Sequence, residues 1–127
     1  MRGVIWMSEP EQHDYPAAAR YLSLLAPLDQ VDSLVAAMRS AAVVRQKAKD
    51  ILRAAGLPLL PRDNPHVASD LDKIKDRTPL SPVLLVRGDL LSGRAAQIAD
   101  GYHRVCASYY VDENTDIPCT LVSPDPH

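Results

Sequence analysis

The pattern of apolar and polar positions divides the chain near Gly56 into a helical first part and a second part of alternating helices and strands. In the first part, apolar residues spaced along one helix face predict helices over residues 15–26, 29–39 and 40–55. Asp14 is the predicted cap of the first helix and Pro27 its stop, while Gly56 is the predicted left-handed C-cap of the third. Residues 1–13 show no sustained period and predict a loosely held arm.

The second part has the pattern of a compact α/β unit. A Pro-bounded apolar segment at 57–61 predicts an edge strand or an extended entry segment, followed by a turn. Helices are predicted over 66–76 and 101–112, and strands over 82–86, 95–99 and 117–122. We therefore expect an α/β (α+β) fold with a small mixed sheet. The 127 residues predict a single domain, 1–127, in which the helical layer of residues 1–56 shares one core with the α/β unit.

Composition narrows the classes of function. A net charge of −2 and a pI near 6.0 exclude a protein whose whole surface grips DNA. The apolar run at 4–7 is shorter than the roughly 7–15 residues of a signal-peptide core, and no run reaches membrane-spanning length. We expect a cytoplasmic protein without a membrane partner. Cys106 and Cys119 are therefore predicted to be buried free thiols, with a redox pair as the alternative.

Three basic residues recur every four positions along the predicted third helix: Arg45, Lys49 and Arg53. Such a row could attract nucleic acid. Asp50 lies among these charges, however, and no aromatic residue is interleaved with them. A solvated helix face is the favoured interpretation, and a DNA-binding row is the alternative.

The candidate chemistry lies at residues 98–104, where an apolar strand pattern ends in Asp100-Gly101 and helical spacing begins. If Asp100 is the N-cap, the free backbone N–H groups of the first helical turn favour an anion. Gly101 would let a ligand approach the backbone, and His103 and Arg104 would add side-chain donors. The pattern predicts a phosphate site.

Several motifs in a fixed order resemble the ParB/sulfiredoxin superfamily over residues 57–123. They are Asp63-Asn64-Pro65-His66, the apolar run 82–86, Asp100-Gly101-Tyr102-His103-Arg104 and Ile117-Pro118. The resemblance implies a ParB/sulfiredoxin-like core preceded by an N-terminal helical extension over residues 1–56.

The resemblance also implies a bound nucleotide, such as ATP, ADP or CTP. Carried over by position, the phosphates would lie on Gly101, His103 and Arg104. The facing helix would complete the pocket with Ser69, Lys73 and His66. Sulfiredoxins have a reactive cysteine at the position of Tyr102, so the resemblance does not extend to their chemistry. The motif at residues 100–104 is most similar to that of the free-serine kinases of this superfamily, Asp-Gly-His-His-Arg. This similarity implies a phosphotransferase or a nucleotide hydrolase.

Phosphoryl transfer at such a site would use Mg²⁺, held by the nucleotide phosphates and by one carboxylate, either Asp63 or Asp100. Asp63 and Asp70 are candidate general bases, although caps and surface acids are the commoner roles of such residues. The expected partners are a nucleotide, a small-molecule acceptor and a second copy of the chain. The alternative is a DNA-associated or protein-interaction module without turnover.

Overall fold

The computed structural model describes residues 3–124, which form five helices and four strands. In chain order these are α1 (Asp14–Leu22), α2 (Leu28–Ser40), β1 (Val44–Lys47), α3 (Ala48–Ala55), α4 (Pro65–Lys75), β2 (Val83–Val86), β3 (Gln97–Asp100), α5 (Tyr102–Val111) and β4 (Asp116–Val122). Within the described range, none of the helices has both the length and the apolar character that crossing a bilayer requires.

The four strands form one mixed sheet in the order β1-β4-β2-β3. Strand β4 pairs antiparallel with β1 and parallel with β2, while β3 pairs antiparallel with β2. Cys119 of β4 is thus opposite Val44 on one side and Val83 on the other. The small mixed sheet with helices confirms the predicted α+β class.

Helices cover both faces of this sheet because side chains alternate along each strand. Val83 and Leu85 of β2 point to a core formed with α3, α4 and α5, whereas Leu84 and Val86 point to a second core formed with α1 and α2. All four residues of β2 are buried, as the continuous apolar run of this predicted strand requires when both faces of the sheet are covered.

The prediction of a helix over 40–55 is wrong in its first half. Residues 44–47 form β1, and only 48–55 are helical. Val44, predicted to face the core, is 42% exposed. The open edge of β4 offers backbone hydrogen bonds to this segment, and sheet pairing overrides a weak local preference. The first 56 residues are therefore not all helical, and Arg45 lies on a strand rather than in a helical row with Lys49 and Arg53.

The prediction of a loose N-terminal arm is also wrong within the described part, residues 3–13. Leu80 donates its N–H to the Ile5 carbonyl over 2.9 Å and accepts from Met7 N–H over 2.8 Å. Trp6 packs against the core beside α3, α4 and α5, and Pro10 is buried. The segment is fixed by a chain region more than seventy positions away, which no local pattern reveals.

Helix α1 also differs from its prediction. It ends at Leu22 rather than at residue 26, and Asp14 is its first residue, not its cap. His13 occupies the cap position without a side-chain hydrogen bond, while Asp14 is buried. Asp14 is therefore placed inside the protein, where its charge requires partners.

The predicted C-cap of α3 is confirmed, since Gly56 has a φ of 65°. Helix α4 begins after Asn64, which caps it by accepting from the N–H groups of His66 and Val67. The segment 57–61 is extended and forms no strand. Cys106 and Cys119 are both buried and free.

Candidate functional site

A pocket of about 350 Å³ opens at the start of α5. Its walls come from the beginning of α1 and the residues before it, from α4, from residues 79–81 and from the β3–α5 junction. The side chains that line it include four carboxylates, three imidazoles, an ammonium and a guanidinium: Glu11, Asp14, Asp70, Asp100, His13, His66, His103, Lys73 and Arg104. The pocket is polar and has charges of both signs.

The structure brings most of the sequence-predicted site residues together here. The pocket lining includes Gly101, His103 and Arg104 at the junction, His66, Ser69 and Lys73 on α4, and Asp100. Asp63 does not line the pocket, because it lies exposed in the turn before α4. Asp70, the other candidate base, does line it and is buried.

The prediction that Asp100 caps α5 is wrong. Gly101 is the cap residue, and no side chain accepts a hydrogen bond there. The Asp100 carboxylate instead accepts from Arg104 Nη2 over 2.6 Å. This i,i+4 ion pair draws Asp100 away from the helix terminus. Helix α5 therefore begins without a side-chain cap, and Gly101 and His103 at its start line the pocket.

Gly101 is required by the protein's own packing. Its φ is +113°, and a Cβ at this position would collide with the Val83 side chain and lie 2.8 Å from Arg104 Nη2. Glycine thus lets the chain turn from β3 into α5 directly against β2. The sequence predicted that a ligand would approach the backbone at Gly101, whereas in the structure the Val83 side chain lies against it.

Arg104 is held by two carboxylates. Besides its bond to Asp100, its Nη1 donates to Asp14 Oδ2 over 3.4 Å, and Asp14 also accepts from the Ser81 hydroxyl. Burial raises the pKa of Asp100, and the Arg104 charge opposes that rise. The guanidinium balances these two acids and ties α5 to α1.

The α4 wall places ionisable groups close to one another. The rings of His66 and His103 are 4.7 Å apart between centroids, and Lys73 Nζ lies 3.9 Å from Asp70 Oδ1. Burial raises the pKa of Asp70, with the Lys73 charge opposing the rise. Burial and, second, His66 lower the pKa of His103. Both pKa shifts favour the neutral form of the group, and pocket residues with shifted pKa values are candidates for proton transfer.

Tyr102 packs against the hydrophobic core of the protein. Its hydroxyl donates to the Pro58 carbonyl over 2.6 Å and fixes the extended segment 57–61 against α5. Tyr102 does not line the pocket.

Sequence reasoning missed seven pocket residues, of which three are ionisable: Glu11, His13 and Asp14. Glu11 and His13 lie in the segment that was predicted to be a loose arm, and Asp14 was predicted to be a helix cap. The cluster of ionisable types within four positions was the available signal, and the fold alone places it at the pocket.

No protein-family model, no curated protein and no solved structure matches this chain. The resemblance to the ParB/sulfiredoxin superfamily stays a prediction from the motifs.

Proposed function

We propose that this pocket binds a nucleotide with its phosphates against the first turn of α5. The proposal depends on one observation: side chains of α4 and α5, two helices that are far apart in the sequence, line the same pocket. Ser69 and Lys73 of α4 and His103 of α5 line the same pocket, and α5 begins there without a side-chain cap. Amides at a helix start, a hydroxyl and an ammonium are the donors that phosphate oxygens accept from. The cavity volume, about 350 Å³, is within the range of small-molecule sites, about 300–1,000 Å³.

The charge balance of the pocket indicates how a nucleotide would enter. Four carboxylates line it against only Lys73 and Arg104, and both cations already lie near acids. A bare triphosphate would be repelled by these carboxylates. We therefore propose that the nucleotide binds as its complex with a divalent cation, which attracts phosphates and carboxylates together.

Different residues have different roles in this proposal. Ser69, Lys73 and the His66–His103 pair contact the phosphates from two sides. Arg104 contributes a positive field and holds the junction in shape through Asp14 and Asp100. We assign Arg104 the role of positioning the α5 terminus, because its Nη1 donates to Asp14 and its Nη2 to Asp100.

We further propose phosphoryl transfer to a small acceptor, or nucleotide hydrolysis, as the reaction. Asp70 is the candidate base, since it lines the pocket and burial raises its pKa toward the working range of a proton acceptor. Asp63, exposed and outside the pocket lining, lacks this placement.

Calorimetry tests nucleotide binding directly. Titration with ATP, ADP and CTP in magnesium-containing buffer at 150 mM salt is expected to give saturable heat with at least one of the three. Lys73→Ala is expected to weaken binding by about tenfold or more, the equivalent of a lost charged contact of about 1.5–3 kcal/mol. Lys75→Ala is the matched control, because Lys75 is exposed on the same helix and outside the pocket lining. The absence of heat with all three nucleotides, or equal weakening by both variants, contradicts the proposal.

Turnover is tested separately with Asp70→Asn, which keeps the shape of the side chain and removes the base. We expect this variant to bind the nucleotide and to release phosphate at least about a hundredfold more slowly than the wild type. An unchanged rate would exclude Asp70 as the base and leave the binding proposal intact.

A further inference from the structure

We propose that Glu11, His13 and Asp14 form a divalent transition-metal site at the edge of the pocket. The proposal rests on the proposed function in one respect only: the cation would face the nucleotide phosphates. The three residues lie just before and at the start of α1, opposite the α4 wall, and all three line the pocket.

The spacing of the donor atoms fits one ion. His13 Nε2 lies 2.9 Å from Glu11 Oε2 and 3.3 Å from Asp14 Oδ1, and one donor atom from each residue lies within 4.8 Å of the others. Nitrogen and oxygen ligands bind zinc at about 2.0–2.2 Å, so neighbouring ligands in a tetrahedral shell are about 3.3–3.6 Å apart. The His13–Asp14 separation of 3.3 Å has this spacing, and the His13–Glu11 separation of 2.9 Å is slightly shorter.

Hydrogen bonding alone does not satisfy the cluster. A neutral imidazole nitrogen carries at most one N–H, yet two carboxylate oxygens approach the same His13 atom. The Asp14 side chain is only 4% exposed, so water does not compensate its charge freely. A cation at the centre would attract the imidazole lone pair and both carboxylates at once.

The surrounding structure orients these ligands. Asp14 Oδ2 is held by the Ser81 hydroxyl and by Arg104, which leaves Oδ1 directed toward His13. The Ser81 oxygen also accepts from the Glu11 N–H over 3.1 Å, and the Glu11 carbonyl accepts from the Asp14 N–H over 3.0 Å. A ligating carboxylate whose second oxygen is hydrogen-bonded to outer residues is typical of metal sites.

The donor set selects the metal. One imidazole with two carboxylates suits Zn²⁺ or Mn²⁺, whereas Mg²⁺ and Ca²⁺ prefer oxygen ligands alone. Three protein ligands leave coordination positions free for water or a phosphate oxygen. This set fits a cation better than the two predicted ligands do, because its three donor atoms lie together, whereas Asp63 lies outside the pocket lining and Asp100 belongs to no such cluster among the described residues.

The test is metal titration of the full chain, freed of any affinity tag and of bound metal, in the absence of nucleotide. Zn²⁺ is followed by competition with a chromophoric chelator and Mn²⁺ by the loss of its free-ion electron-spin signal. We expect about one ion per chain. His13→Gln and Glu11→Gln should each weaken binding at least about tenfold. Both side chains lie at the surface or its edge, so these variants should fold.

Glu9→Gln is the matched control, since Glu9 is an exposed acid in the same segment and outside this pocket. It should bind the ion as the wild type does. Absence of stoichiometric Zn²⁺ and Mn²⁺ binding overturns the proposal. Wild-type affinity in His13→Gln and Glu11→Gln overturns it as well, and so does loss of the ion in His66→Gln alone.

The nucleotide titration in magnesium buffer separates the two proposals. Nucleotide binding without Zn²⁺ or Mn²⁺ binding overturns the metal site and leaves the proposed function standing. Metal binding that depends on His13, without any nucleotide binding, supports the metal site and contradicts the proposed function.

Discussion

Arg104 Nη2 donates to Asp100 Oδ2 over 2.6 Å, so the residue that begins the candidate phosphate motif and the one that ends it bind each other. The same guanidinium reaches Asp14, ninety positions earlier in the chain. The Arg104 side chain is only 15% exposed. The motif therefore has a structural role, because its arginine connects α5 to α1 and to β3, and the pocket lies beside these ion pairs.

Removal of this guanidinium is expected to destabilise the fold. Arg104→Ala would leave Asp14 and Asp100 without their counter-charge inside the protein, at a cost of about 3–5 kcal/mol in the free energy of unfolding. Urea denaturation followed by circular dichroism measures this cost. Arg53→Ala is the control, because Arg53 pairs with Asp50 at the surface, and it should change stability by less than about 1 kcal/mol. Equal effects of the two variants would contradict the assigned role.

The glycine at the junction gives a second prediction. Gly101→Ala combines an unfavourable positive φ with a collision against Val83, and we expect it to lower stability by about 2–4 kcal/mol. Gly56→Ala has a positive φ with open space around the new methyl group and should cost only about 1 kcal/mol. Thermal or urea unfolding of both variants measures the difference. A Gly101→Ala protein as stable as Gly56→Ala would show that the contact with Val83 relaxes freely.

The contact between His66 and His103 predicts how the pKa of His103 changes when His66 is replaced. Burial and the neighbouring His66 hold the pKa of His103 below its ordinary value of 6.5. In His66→Gln the His103 pKa should rise, yet stay below that value, because burial is the larger cause. NMR titration of the imidazole protons measures both proteins. An unchanged His103 pKa would show that the two rings do not interact.

The lowered pKa of His103 makes the free energy of unfolding depend on pH. The folded state favours neutral His103, so below pH 6.5 the unfolded state binds more protons at this residue. The contribution of His103 is fully present above that pH and is lost as the pH falls through its folded-state pKa. We expect His103→Gln to lose less stability than the wild type between pH 7 and pH 5. Urea midpoints across this range measure the slopes, and a steeper loss in the variant would contradict the sign.

The cysteines are predicted to be unreactive in the folded protein. Burial raises the pKa of Cys119 to about 11 and also raises that of Cys106, so few thiolates form at pH 8 and reagents do not reach them. A disulfide-exchange reagent should label neither thiol in the native protein and both in guanidinium. Ser33→Cys, at an exposed position on α2, should add one rapidly labelled thiol. Rapid labelling of the native wild type would contradict their burial.

Local signals explain which elements were predictable. Helix α4 follows from Asn64-Pro65 and its apolar spacing, and β2 from its continuous apolar run. Capping and helical periodicity depend on residues within a few positions of each other. The convergence of the α4 and α5 motifs has no such local signal, and its prediction depended on a resemblance that covers both motifs. Strand β1 was not predictable, because its hydrogen bonds are made to β4, about seventy positions away.

The sequence by itself determined the α+β class, the buried central strand, the glycine-led turn into α5 and eight of the residues that line the pocket. Only the tertiary structure decided that Arg104 binds Asp14 and Asp100, and that Glu11, His13 and Asp14 line the same pocket. The reason is physical. Turns and helices form between near neighbours, whereas ion pairs and sheet edges join residues that only the completed fold brings into contact.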